Sequence, residues 1–263
     1  MRRKHGLSLL LFVATMLPLW APYGQAQTSI SFFNNGTNWT INQSGLSSAN
    51  ITSGVFHGTD GNGGEAVSAW YDYPVYIDGF TATFTYQDVG GSPGNNADGL
   101  TFDLQEYGPT FLGSAGGALG VDGLSPSANW ELNLYSPNGI GAIFHADGEA
   151  YGYYGTGPVN VSSGHPVQVT IVYTPGGAVQ ETLVDTVTSS SFVTNFNIGD
   201  LVLLLGNSLA TIGFTSTDGG VNSVQTVSNF SFISATNQLN QGGAVASSYP
   251  PEGAVLPGLC RIQ

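Results

Sequence analysis

From Phe80 to Gln87 the chain alternates without a break: Phe80, Ala82, Phe84 and Tyr86 fall on one face, Thr81, Thr83, Thr85 and Gln87 on the other. A period of two belongs to a strand with one apolar and one polar side, and the apolar side needs a second layer to cover it. The pattern returns at Leu100 to Gln105, and again where Trp130, Leu132 and Leu134 oppose Glu131, Asn133 and Tyr135. No long segment repeats apolar residues at helical spacing, so the chain is read as all-β.

Further strands are predicted at Ser29 to Asn34, Ala66 to Tyr71, Ala142 to His145, Ala150 to Tyr154, Val167 to Tyr173 and Glu181 to Val187. Leu201 to Leu205, Ala210 to Thr215 and Val224 to Ile233 complete the set. The stretch holding Trp39, Ile41 and Leu46 is read only as polar. The cluster Asp60-Gly61-Asn62-Gly63-Gly64 is a loop by its turn chemistry, and Gly90 to Asn96 is another. Many short strands with frequent turn signals indicate a sandwich or barrel.

Residues 1–26 are set apart. Arg2, Arg3 and Lys4 precede an apolar run from Leu7 to Leu19 and a small-residue exit at Gly24-Gln25-Ala26, the order of a secretory signal peptide. The run is shorter than the roughly 18 residues expected of a membrane span. Residues 27–235 then suit one β domain, and 236–263 fade into Asn, Gln, Gly, Ser and Pro, as in a flexible tail. The expected location is secreted or at the cell envelope.

Loss of the first 26 residues leaves 17 carboxylates against the single Arg261, a net of sixteen negative charges. With no basic patch to neutralise phosphates, nucleic acid is excluded as a partner, and anionic membrane surfaces are disfavoured. Cys260 is the only cysteine, so no intrachain disulfide staples the fold.

The stretch Asn95 to Gly120 draws the chemistry together. Asp98 sits at the mouth of the Leu100 to Gln105 strand, and a Gly116-Gly117 turn follows. A carboxylate beside unobstructed backbone amides suits a polyol ligand. Two plainer readings stand beside it: Asp98 as the cap of its own turn, and Gly116-Gly117 as a tight turn only.

Four segments carry a resemblance: Ala97-Asp98-Gly99-Leu100-Thr101-Phe102-Asp103-Leu104-Gln105, Gly116-Gly117-Ala118-Leu119-Gly120, Glu131-Leu132-Asn133-Leu134-Tyr135, and Ile212-Gly213-Phe214-Thr215 through Phe230-Ser231-Phe232. In this order the chain resembles the L-type (legume-type) lectins, in particular bacterial exported members. The resemblance implies a concanavalin-like jelly-roll β-sandwich of two antiparallel sheets that binds glycans non-covalently at a shallow loop cluster. It makes Asp98 the acceptor of two sugar hydroxyls, on an Ala-Asp peptide often held cis with the help of calcium. It assigns a backbone amide of Gly117 to the sugar, and further carbohydrate contacts to Asn138, Gly220 and Val221. Tyr135 or Tyr107 is the candidate for stacking on the sugar ring.

For calcium the resemblance points to Glu131, Asn133, Tyr135 through its carbonyl, Asn138 and His145, with Asp147 loosely placed. The fit is imperfect. The family pattern has an aspartate where Asn133 stands, and its asparagine position falls on Pro137, one residue before Asn138. An intact calcium site and a degenerate one are both open, since calcium takes about six to eight oxygen ligands.

Two other function classes are weighed. Jelly-roll glycosidases place two carboxylates on one strand face, but Asn133 and Tyr135 occupy the positions that would partner Glu131, so no catalytic residue is assigned. A surface module that has lost its sugar site is the second, with Tyr- and Thr-rich sheet faces suited to homo-oligomerisation or matrix contact.

Overall fold

The computed structural model describes residues 29–31, 33–90 and 96–235. The signal-peptide and tail readings lie outside the described residues. In chain order the strands are β1 (Ser29–Ser31), β2 (Trp39–Ser44), β3 (Asn50–Thr52), β4 (Val55–Asp60), β5 (Ala66–Tyr71), β6 (Val75–Tyr76), β7 (Phe80–Val89) and β8 (Gly99–Gln105). After them come β9 (Ser127–Asn133), β10 (Gly141–Ala146), β11 (Val167–Thr174), β12 (Ala178–Asp185), β13 (Ser191–Asn197), helix α1 (Leu201–Leu205), β14 (Leu209–Thr217) and β15 (Val224–Ser234). An eight-stranded sheet runs β13-β12-β11-β7-β15-β4-β3, with β1 added to β15. A seven-stranded sheet runs β10-β9-β8-β14-β5-β2, with β6 added to β14. The pairings are antiparallel, so the expected two-sheet sandwich is the fold observed.

The alternation in β7 is obeyed: Phe80, Ala82, Phe84 and Tyr86 are buried, and the threonines between them are half-exposed. Phe84 on the first sheet meets Phe102 and Phe214 on the second, with ring centroids 6.0 and 5.0 Å apart. This interlocked aromatic layer supplies much of the apolar burial that drives the two sheets together.

Four sequence expectations are corrected. Leu201 to Leu205 is a helical turn rather than a strand. Asp200 caps it, accepting hydrogen bonds from the amides of Val202 and Leu203 at 2.8 and 3.3 Å, and Gly206 ends it with φ of 75°. Ala150 to Tyr154 forms no strand. Tyr151 and Gly152 have φ of 88° and 84°, which breaks any ladder, and Tyr154 alone bridges to Ala142. The polar stretch from Trp39 is strand β2, at the rim of its sheet where polar side chains are tolerated. Asn50 to Thr59, unassigned beforehand, and Asp60, read as the start of a loop, form the hairpin β3-β4, turned by Ser53 and Gly54 with φ of 52° and 76°.

β8 and β9 are buried on both faces. The polar face of the seven-stranded sheet lies under the segment 107–124. The carbonyl of Phe111 accepts from Ser68 Oγ at 2.8 Å and Trp70 Nε1 at 2.7 Å, and Trp70, Val121 and Leu124 form a small second core. Thr217 Oγ1 donates to the Gly116 carbonyl at 2.8 Å, and the Gly116 amide donates to the Asp218 carbonyl at 3.1 Å. These bonds set the Gly116–Ala118 turn beside the start of β8.

The described residues contain no Lys or Arg. Their ion pairs are His145 with Glu131 and His165 with Asp185, at 3.1 and 2.8 Å.

Candidate functional site

The adjacent strands β14, β8 and β9 end in one row, Thr217 beside Gly99 beside Asn133. Asp98 stands one residue past that row. Its amide donates to the Thr217 carbonyl at 2.8 Å, and its carbonyl accepts from the Leu134 amide at 2.8 Å. The Ala97-Asp98 peptide is cis, as the resemblance implies. The Ala97 carbonyl accepts from Gln225 Nε2 at 3.1 Å and Ser223 Oγ at 3.2 Å. The Ala97-Asp98 peptide is thus held by Thr217 at the end of β14, by Leu134 just past β9 and by Gln225 at the start of β15.

Its side chain is treated differently. Only 5% of Asp98 is exposed, yet among the described residues its carboxylate has no hydrogen-bond partner, and burial and the Asp218 charge are what act on it. The reading of Asp98 as a turn cap is therefore not met. Glycines line the niche: a Cβ on Gly219 would stand 3.0 Å from Asp98 Oδ2, and one on Gly116 3.7 Å. Burial, aided by the nearby Asp218 carboxylate, pushes the Asp98 carboxyl up to about 6. Asp218 is itself raised by burial, and Glu65, whose amide donates to Asp218 Oδ1 at 2.8 Å, is raised to about 7, chiefly by burial.

Gly117 forms a shelf next to the niche. A Cβ there would lie 3.0 Å from Asn138 Nδ2 and 3.3 Å from both Cε1 and Oη of Tyr151. Gly117, Asn138 and Tyr151 therefore meet beside Asp98. Tyr151 is 54% exposed and offers a ring to solvent. It was missed in the sequence; Gly219, within the 217–222 loop expected to contact the sugar, is the member of that loop whose Cβ would meet Asp98 Oδ2. Gly220 has open space around it, and Val221 enters the loop through its carbonyl, which accepts from the Gly219 amide at 3.0 Å. Tyr107 lies at the far end of β8 against Phe111, about 23 Å along the strand at roughly 3.3 Å per residue, so it cannot stack on a ligand at Asp98. Tyr135 is half-buried.

The residues expected to hold calcium do not present a cation cage. Glu131 is buried and takes hydrogen bonds from Tyr153 Oη and His145 Nδ1, each at 3.1 Å. Burial raises its carboxyl, and Glu131 in turn raises the imidazole. Asn133 Nδ2 donates to the Tyr135 and Gly139 carbonyls at 3.0 and 2.7 Å. The Tyr135 carbonyl also accepts from the Asn138 amide at 3.0 Å, which engages both of its lone pairs. Asn138 directs its own amide at Gly117. Asp147 accepts from Ser125 and the Ser127 amide at 2.8 and 3.3 Å. Among the described residues no three His, Cys, Asp or Glu side chains form a group able to hold a metal. The donor set does not fit the ion.

The two sheets, their strand order and the clamped cis corner define a legume-lectin sandwich; the chain has the legume-lectin fold. It is similar to the lectin of Bauhinia forficata solved with GalNAc, with a TM-score of 0.68 and 17% identity over 80% of this chain and 99% of that one. The basic winged bean lectin solved with Tn-antigen matches with a TM-score of 0.68 and 18% identity over the same shares. Arcelin-5 of Phaseolus vulgaris, a lectin-like defense protein, matches with a TM-score of 0.65 and 18% identity, again over 80% and 99%. No protein-family profile matches the sequence.

Proposed function

We propose that this chain binds carbohydrate without transforming it, outside the cell, at the niche formed by Asp98, Gly116, Gly117, Asn138, Tyr151 and Gly219. One observation carries the reading: Asp98 has both main-chain polar groups bonded to neighbouring strand ends and a carboxylate that takes no hydrogen bond from the described residues. A preorganised charged acceptor of this kind can take two neighbouring hydroxyls of a sugar, and charge-assisted bonds are the strong ones. Gly117 lets Asn138 and Tyr151 close in on the turn, Asn138 adds an amide, and Tyr151 adds an aromatic face for the C–H side of a pyranose. The GalNAc and Tn-antigen bound by two structures of the same fold support the class of ligand.

Catalysis finds less support. Along β9, Asn129 and Asn133 flank Glu131 at the positions that share its face, and Glu131 is sealed from solvent.

The test is a glycan array. The parent chain is expected to bind a defined subset of glycans. Gly117→Val, which puts branched carbons against Asn138 and Tyr151, is expected to weaken the best of them at least about tenfold. Tyr151→Ala is expected to weaken pyranose binding by a similar factor, since aromatic contacts contribute roughly 1 kcal/mol or more. Neither change touches the core, so the thermal midpoint should stay within about 2 °C of the parent, as for surface substitutions generally. An array with no bound glycan, or Gly117→Val binding as the parent does, removes the reading.

A further inference from the structure

The resemblance implies a cation beside the Asp98 corner; this chain has hydrogen-bond donors there instead. We infer that two buried side-chain amides, Asn133 bracing the 135–139 loop beside the corner and Gln225 bracing the corner itself, do the holding, and that the niche binds its ligand without a metal ion.

Asn133 is wholly buried and points both Nδ2 hydrogens at carbonyl oxygens, Tyr135 at 3.0 Å and Gly139 at 2.7 Å. Two converging carbonyls make a spot that a hard cation can bridge. An NH₂ group bridges it equally well with no net charge to desolvate. The aspartate that the resemblance implies here would turn oxygens toward those carbonyls and would need a cation between them. Asn133 Oδ1 is buried without a partner, but one neutral oxygen falls far short of the roughly six to eight that calcium takes.

Gln225 works from the other side. It is also wholly buried, and its Nε2 bridges the Ala97 carbonyl at 3.1 Å and the Thr217 carbonyl at 2.7 Å. One amide therefore ties β15 to both the cis corner and the end of β14. Its Oε1 is occupied by Ser216 Oγ at 3.2 Å. Glu131, two residues before Asn133 on β9, is taken up by His145 and Tyr153. The two side-chain amides and Glu131 are thus engaged within the protein, while Asn133 Oδ1 and Asp218 Oδ2 are buried without a partner.

The inference rests on the carbohydrate reading only where it concerns binding, and the experiment separates the two. Thermal midpoint and glycan affinity are measured for the full chain in EDTA, in calcium and in manganese. The expected result is a midpoint within about 1 °C across the three buffers and an affinity unchanged within about twofold. An ion bound at about a hundred times its dissociation constant would instead raise the midpoint by roughly 5–10 °C. A rise of that size, or binding lost in EDTA and regained with either ion, overturns the inference. Asn133→Asp is expected to melt lower than the parent in EDTA and to gain a calcium-dependent rise; equal midpoints in EDTA would show that the amide is not the staple. The parent comparison needs no variant, so it decides even where Asn133→Asp does not fold. A chain that binds no glycan in any buffer, yet keeps its midpoint in EDTA, removes the carbohydrate reading and leaves the metal-free corner standing.

Discussion

Asp98→Asn is expected to reduce glycan affinity by about a hundredfold or more while leaving the thermal midpoint at or above that of the parent. The loss follows from replacing a charged acceptor of two hydroxyl hydrogen bonds, each contributing about 1.5–3 kcal/mol when one partner is ionised. An amide keeps the shape but offers one oxygen without charge. Stability moves the other way because the ionised carboxyl is disfavoured in the native state, first by burial and then by Asp218. Its backbone bonds to Thr217 and Leu134 do not involve the side chain and persist. Titration calorimetry on the strongest array ligand, with a thermal melt of each protein, reads both quantities. Retained affinity, or a melt lowered by several degrees, contradicts this account of Asp98.

The second large effect is an opposition between folding and binding as pH falls. Buried carboxyls in the folded chain hold their protons far above the usual range: Asp103 to about 8, Glu65 and Glu181 to about 7, Asp98 to about 6, burial being the leading cause in each. In the unfolded chain these groups ionise near 4. Between pH 4 and pH 8 the unfolded state therefore releases protons that the folded state keeps, so stability falls as pH rises and returns on acidification. A midpoint higher by about 10 °C at pH 5 than at pH 8 is expected, several kcal/mol in a domain of this size. Asp103 should dominate. It is fully buried, with Oδ1 accepting from Asn129 Nδ2 at 2.7 Å and Oδ2 from the Thr101 hydroxyl. Asp103→Asn is expected to raise the pH 8 midpoint and flatten the slope. Glycan affinity should do the reverse, falling about tenfold from pH 7 to pH 5 as Asp98 takes its proton. A midpoint that drops on acidification to pH 5, or an Asp103→Asn slope equal to the parent's, refutes the argument.

The fold was readable wherever a strand had one face in the core. β7 announces itself because every second residue must leave water; β8 and β9 keep the same apolar/polar alternation although their polar faces are buried too. The misses have physical causes. Leu201 to Leu205 is apolar enough for a strand, and only the Asp200 before it and the Gly206 after it mark a capped turn of helix. β2 and β3 lie at or near the sheet rims, where little side-chain burial is needed and hydrophobic alternation fades. The Ser53-Gly54 pair was the available signal for the β3-β4 hairpin.

The site was half legible. Asp98 and Gly117 stand together as the four segments implied, because both are fixed by local chain geometry and by the ends of adjacent strands. Tyr151 could not be read, since its place depends on a loop with φ of 88° that crosses back over the Gly116–Ala118 turn. Within the 217–222 loop, Gly220 and Val221 were singled out rather than Gly219. What separates them is a contact of about one Cβ with Asp98 Oδ2, a fact of packing rather than of spacing. The departure at Asn133 was visible as a letter in the sequence. Its meaning, hydrogens placed where oxygens would need an ion, required the two carbonyls to be seen.

The absence of basic side chains from the sandwich reaches beyond electrostatics. Trypsin cuts after Lys or Arg, and between Lys4 and Arg261 there is neither. Even fully denatured, the whole lectin-fold body would leave a tryptic digest as one piece, and amine-directed labels would find no lysine in it.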